Sequence, residues 1–130
     1  MTAAQESNLG QYIHQTGKGP ACGIYEMEPA THDSLWSTAL ARDTQLATKV
    51  RNLAGAWHSG QIPDAEEMIG NLYYATAMAR VKYKIIPASI PAADQIEALA
   101  NYYKTYYNTA MGAATVPQVI ANYRKYALAA

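Results

Sequence analysis

Phenylalanine is absent from this 130-residue chain, and cysteine occurs once, as Cys22. A lone cysteine excludes an internal disulfide and any cysteine-based metal centre. Charge is scarce as well: 15% of residues are charged and ten basic side chains balance ten acidic ones. No field of one sign therefore draws the chain to nucleic acid or anionic lipid. The nearest approach to a basic patch, Arg80, Lys82 and Lys84, reads as a solvated helix end. No run of about 18 apolar residues occurs, so no membrane-spanning helix is expected. Met1 to Gly10 lacks a basic start followed by an apolar stretch, so the chain as given reads as soluble and without a secretion signal.

Several chemistries are missing too. His14, His32 and His58 never form a His-Glu-x-x-His pattern, which leaves a zinc hydrolase without support. Gly17, Gly19 and Gly23 fit neither the dinucleotide nor the Walker spacing. No Gly-x-Ser-x-Gly occurs, and Cys22 has no histidine partner in a known local signature. No metal and no cofactor is implied.

What is present is apolar and rich in tyrosine. Half of the residues are hydrophobic, the composition of a globular chain, and the length suits one core, hence a single domain over 1–130. Eleven tyrosines suit either a wet groove or a thin helical core, because the ring is apolar and its tip polar.

The apolar spacing is helical throughout. Residues 2–9 read as a helix stopped by Gly10. Residues 10–31, with Gly10, Gly17, Gly19 and Gly23 and two prolines, read as a loop with a small hairpin around Ala21 to Met27. Thr31 or Asp33 caps a helix through Leu35, Trp36, Leu40, Leu46, Val50, Leu53 and Trp57, with a break near Ala41 to Asp43. Gly55 and Gly60 mark its end. Asp64 and Glu67 form a capping box for a helix that buries Met68, Leu72, Ala75, Met78, Ala79 and Tyr83. Pro87 and Pro91 separate it from a helix carrying Ile96, Leu99, Tyr102, Tyr103 and Tyr106. Thr115, Pro117 and Gln118 open the last helix, which turns Val119, Ile120, Tyr123 and Tyr126 inward. Nothing alternates like a strand, so the class is all-α.

By elimination the candidate chemistry is that of carboxylates: Glu6 at the end of a short helix, facing a glycine-rich loop with Glu26 and Glu28. A carboxylic acid partly buried beside apolar groups stays protonated toward neutral pH, which glycosidic cleavage requires.

Segments in a fixed order carry a resemblance. Glu6-Ser7 looks like the pair that ends the catalytic helix of soluble lytic transglycosylases. Ala21-Cys22-Gly23-Ile24-Tyr25-Glu26-Met27-Glu28-Pro29-Ala30-Thr31 is similar to that family's Gly-Ala-x-Gly-Leu-Met-Gln-x-Met-Pro-x-Thr segment. Asn71 falls where the family has an Asn opening a central helix. Tyr107-Asn108-Thr109-Ala110-Met111-Gly112 resembles its Tyr-Asn-Ala-Gly-x-Gly turn, and Asn122-Tyr123 its later Asn-Tyr. The chain thus resembles the lysozyme superfamily, in particular soluble lytic transglycosylases and goose-type lysozymes. That resemblance implies an all-α lysozyme-like fold with a Gly-rich loop or small hairpin after the first helix. It implies cleavage of peptidoglycan glycan strands with Glu6 and Tyr107 as catalytic residues, and Ser7, Gly23, Ile24, Tyr25, Glu26, Asn71 and Asn108 binding substrate. By that resemblance Glu6 would first protonate the bridging oxygen between N-acetylmuramic acid and N-acetylglucosamine, then take the muramoyl 6-hydroxyl proton as a 1,6-anhydro ring closes.

Three departures matter. Glu26 stands where the family has Gln; at roughly 6.5 to 9.5 Å from Glu6 it would serve as the base of an inverting lysozyme. Gly17 and Pro20 replace a small polar residue and a glycine, and the string from Gly19 to Asp33 looks like the bacteriophage-encoded variant, implying an endolysin or virion-associated lysin that acts on the cell wall from the virion or the host cytoplasm. Finally, only five residues precede Glu6. A helix so short needs tertiary packing or an upstream segment, or leaves the catalytic end loose. The looser case favours a rival expectation, a non-catalytic virion or glycan-binding protein of the same fold.

Overall fold

Capping chemistry places most of the helix boundaries. The computed structural model of the chain describes residues 1–14, 19–55, 61–109 and 112–129. Gly17, Trp57, His58, Gly60, Ala110 and Met111, which entered the sequence reading, lie outside them. Helix α1 (Thr2–Ser7) stops earlier than Gly10, because Asn8 takes the left-handed cap itself (φ 52°), followed by Leu9 (60°) and Gly10 (92°); asparagine tolerates that conformation. Helix α2 (Pro29–Leu35) starts ahead of Thr31 and Asp33, since Pro29 fits the first turn, where an N–H has no helical partner. It continues into a π-helical turn (Trp36–Leu40). Asp43 then breaks the run: its carboxylate accepts from the Leu46 N–H at 2.9 Å and opens α3 (Thr44–Arg51). That helix ends short of Leu53, which is exposed instead of buried.

The one helix expected from Asp64 is two. Glu67 does not fold back on Asp64; its Oε1 accepts from the Gly55 N–H at 2.6 Å and from Asn71 Nδ2 at 2.8 Å, so the capping box stays open. Helix α4 (Glu67–Gly70) lasts four residues, and Asn71, accepting from the Tyr74 N–H at 3.0 Å, starts α5 (Leu72–Lys84), leaving Leu72 exposed. Helix α6 (Ile96–Tyr103) passes into a second π turn (Lys104–Asn108). Tyr107, four residues on from Tyr103 and 5% exposed, continues its buried face, while Tyr106 is 38% exposed. Helix α7 (Val116–Tyr123) opens as expected, with Thr115 Oγ1 accepting from the Gln118 N–H at 3.4 Å, and ends in a third π turn (Arg124–Leu128). Helix makes up 60% and no strand forms among the described residues, so the class is all-α. No helix of the described residues is long and apolar enough to cross a membrane.

Two apolar clusters meet along α5. The first gathers Met27, Leu35, Trp36, Leu40, Val50, Met68 and Met78 around Tyr74. Its polar atoms are paired: Trp36 Nε1 donates to Tyr74 Oη at 2.9 Å, and fully buried His32 bonds Tyr74 Oη and Asp33 Oδ1, each at 2.7 Å. The second, formed by α1, α6 and α7, gathers Ala100, Tyr103, Tyr107, Ala114 and Val119. Tyr25 packs against both.

Hydroxyl partners explain why the rings packed here are tyrosine and not phenylalanine. Tyr83, Tyr102, Tyr103 and Tyr107 lie with ring centroids 5.3 to 5.9 Å apart. Each hydroxyl has a partner: Thr2 Oγ1, the Ala88 carbonyl, Glu6 and the Tyr25 carbonyl respectively. The same contacts clamp α1, which is too short to hold itself by propensity. Thr2 is tied to Tyr83 at 2.7 Å, and Gln5 Oε1 accepts from Asn122 Nδ2 at 3.0 Å. Ser7 Oγ donates to the Ile24 carbonyl at 2.7 Å and accepts from the Gly10 N–H at 2.9 Å.

Candidate active site

Glu6 rides on the last turn of α1, where the clamp just described holds its side chain partly buried. Tyr103 donates its hydroxyl to Glu6 Oε1 at 2.5 Å. Burial drives the carboxyl up from its ordinary 4.5 to about 7, and the negative field of Glu26 adds to the rise; the Tyr103 bond and the Lys82 ammonium oppose it. The result is a carboxylic acid still protonated near neutral pH.

The group opens onto a cleft of about 450 Å³ walled by Glu26, Glu28, Lys82, Tyr107 and Asn108, within the roughly 300 to 1,000 Å³ of small-molecule sites. Glu26 holds a left-handed φ of 43°, a conformation costing about 1 kcal/mol for a residue with a side chain. Burial raises its pKa too.

Of the sequence-derived site residues, the structure brings Glu6, Glu26, Tyr107 and Asn108 to one cleft. The Tyr107 ring forms wall while its hydroxyl donates to the Tyr25 carbonyl at 2.9 Å, and Tyr103 is the tyrosine whose hydroxyl meets Glu6. Ser7 is wholly buried and does not line the cleft; it positions the end of α1 against the loop. Gly23, Ile24 and Tyr25 do not line it either. They form a tight turn closed by one antiparallel bridge between Cys22 and Met27, less than the hairpin expected, with a further bridge from Cys22 to His14. The Ile24 and Tyr25 carbonyls face inward to Ser7 and Tyr107, so only Glu26 of this turn reaches the cleft.

Asn71 lies elsewhere, in a shallow pocket with Asp64, Glu66, Glu67 and Gly70. Its side chain caps α5 and bonds the Leu53 carbonyl at 2.7 Å and Glu67, so the structure does not bring it to the Glu6 cleft. Asn108 is braced by Lys104, whose Nζ bonds Asn108 Oδ1 at 2.8 Å and the Gly112 carbonyl at 2.7 Å. A Cβ on Gly112 would lie 2.4 Å from the main-chain oxygen of Asn108, which cannot swing aside, so the turn requires glycine.

Two residues of the site were not anticipated. Tyr103 was assigned to the core, and Lys82 to a solvated helix end. Lys82 is instead partly buried, its Nζ 3.6 Å from the Tyr107 ring centroid and donating to the Tyr107 carbonyl at 3.2 Å. The signal was present: Lys82 follows Ala75 and Met78 by seven and four positions, on the buried stripe of α5. Among the described residues no group of three or more His, Cys, Asp or Glu converges as a metal site. No protein-family model, curated protein or solved structure gives a significant match to this chain.

Proposed function

We propose that this cleft cuts peptidoglycan glycan strands between N-acetylmuramic acid and N-acetylglucosamine, as in the lytic transglycosylases and goose-type lysozymes that the motifs resemble. The single observation carrying the reading is Glu6: a carboxyl kept protonated to about pH 7 by burial, bonded by Tyr103, at the wall of an open cleft. Glu6 gives its proton to the departing N-acetylglucosamine oxygen as the bond from the muramoyl anomeric carbon breaks. The carboxylate so formed then takes the proton of the muramoyl 6-hydroxyl, whose oxygen closes on the anomeric carbon, and Glu6 is regenerated. The substrate's acetamido group stabilises the positive charge, so no second protein carboxylate is required. The Tyr103 hydroxyl supports the ionised intermediate state of Glu6. The string from Gly19 to Asp33 supports a phage setting, as endolysin or virion-associated lysin.

Clearing of a peptidoglycan suspension, with mass analysis of the released fragments, tests this. Anhydro ends, one water lighter than reducing ends, mark the transglycosylase; hydrolysed ends mark a lysozyme with Glu26 activating water. Binding without release of fragments supports the rival, a glycan-binding protein, and sinks the enzyme.

The pH profile follows from the state of Glu6. A general acid must be protonated in the free enzyme, so kcat/KM is expected to be level below about pH 7 and to fall above it. In Tyr103→Phe the carboxylate loses a donor that stabilises its charged form, so the falling limb moves to higher pH. A limb that stays put, or moves down, removes Tyr103 from the site.

A further inference from the structure

Arg80, Lys82 and Lys84 lie at alternate positions in sequence, yet α5 separates them. Lys84 pairs with Asp43 at 3.2 Å on one side, and Arg80 is exposed. Lys82 alone of the three enters the Glu6 cleft. The residue is half-buried, and its ammonium rests on the face of Tyr107, a contact that holds a cation without neutralising it. One N–H goes to the Tyr107 carbonyl. Among the described residues no carboxylate lies within 4.0 Å of Nζ, although an ammonium has three donors. Glu6 and Glu28 act on it only through their fields. A cation drawn partly out of water, with donors left over and no counter-charge in contact, is a receptor for an anion.

We infer that Lys82 is a specificity residue that binds a carboxylate carried by the muramoyl sugar held beside Glu6. This rests on the glycan reading of the cleft. The chemistry narrows the substrate: a chitin-like strand of N-acetylglucosamine bears no carboxylate, whereas muramic acid bears a lactyl group on its 3-oxygen. In peptide-free strands that lactyl group ends in a free carboxylate; in peptide-bearing strands it is an amide, and the carboxylates sit further along the stem peptide. Either source meets Lys82 by the same charge-assisted bond, and the two are separable by experiment. Being on α5 and not on a loop, Lys82 holds its place without substrate, which favours discrimination over induced fit.

The test measures binding to protein carrying Glu6→Gln, so that nothing is cleaved, with three probes: chitohexaose, peptide-free glycan strands and peptide-bearing strands. At least one of the acidic strands is expected to bind about tenfold more tightly than chitohexaose, and the tighter of the two identifies the carboxylate. Adding Lys82→Gln, which keeps a donor for the Tyr107 carbonyl but removes the charge, brings that ratio toward one; adding Lys82→Arg preserves most of it. The ratio also shrinks as salt is raised while chitohexaose affinity holds, a readout that stands even if Lys82→Gln fails to fold. A ratio near one at low salt, or one unchanged by salt and by Lys82→Gln, overturns the role of Lys82 and leaves the glycan site intact. Failure of all three probes to bind overturns the glycan reading itself and Lys82 with it.

Discussion

Glu6→Gln is expected to make the protein more stable above pH 7 while reducing glycan cleavage by about a thousandfold or more. The two effects share one cause. The folded protein holds Glu6 at a pKa of about 7 against 4.5 for an ordinary carboxyl, chiefly by burial. Below pH 4.5 the group is protonated whether the chain is folded or not, and wild type and variant should melt alike. Between pH 4.5 and 7 the unfolded chain binds fewer protons than the folded one, so stability falls as pH rises. Above 7 Glu6 is ionised in both states and the whole penalty is in place. At about 1.4 kcal/mol per tenfold in proton affinity, and discounted because the side chain is only partly buried, the penalty is about 2 to 3 kcal/mol. The glutamine carbonyl can still accept from Tyr103, so the variant escapes the penalty and keeps the bond.

For a domain of this size that gain is worth roughly 8 °C in Tm at pH 8 and none at pH 4. Cleavage should be lost at every pH, because the group supplies the proton in one step and removes it in the next, and positioned acid–base groups contribute about 10² to 10⁴ in rate. Melting curves and turbidity assays at pH 4, 5.5 and 8 check both halves. Equal Tm values at pH 8 would refute the burial of Glu6; a stabilised variant with undiminished cleavage would place the chemistry elsewhere. Stability forgone to keep an acid out of water is the usual signature of a working site.

Gly23→Ala is expected to destabilise the fold by about 3 kcal/mol or more and to loosen the site without touching any residue that lines it. Gly23 sits at φ +73°, and a Cβ there would stand 2.2 Å from the Met68 carbonyl oxygen and 2.9 Å from its carbon. The backbone penalty is about 1 to 2 kcal/mol, and forcing atoms into a packed position adds about 1 to 3. Met68 O is main chain and cannot swing aside, so the loop must move. The next residues carry the consequence, because the Ile24 carbonyl receives Ser7 and the Tyr25 carbonyl receives Tyr107. Displacing the turn therefore frees α1 from the first cluster and Glu6 with it. Gly10→Ala is the control: φ is +92°, but its Cβ meets only the end of the Ile24 side chain at 3.4 Å. Urea unfolding should separate the two variants by about 2 kcal/mol, and the Gly23 variant should also lose near-ultraviolet tyrosine signal. If both variants unfold together, the approach to Met68 does not constrain the loop.

The boundaries that could be read in the chain are those made by neighbours in sequence. Thr115 with Gln118, Asp43 at the break before α3, and the prolines between α5 and α6 act within a few residues, and their positions follow from which side chains accept an N–H and which residues lack one. The all-α class followed for the same reason, whereas Glu6 was singled out by elimination and by the resemblance of the ordered motifs. Asp64 misled because Glu67 turned to Gly55 and Asn71, partners that a capping pattern does not contain.

The site itself depends on approaches across the chain. Tyr103 meets Glu6 over 97 positions and Asn122 meets Gln5 over 117, and no local preference encodes either. Tyr103 and Tyr107, four residues apart, share a helix face by period alone; that Tyr103 reaches Glu6 and Tyr107 the Tyr25 carbonyl was decided by how distant segments pack. Chain order thus carries hydrogen-bond preferences and hydrophobic period; desolvation, which raises Glu6 and leaves Lys82 in want of an anion, exists only once distant segments have closed around them.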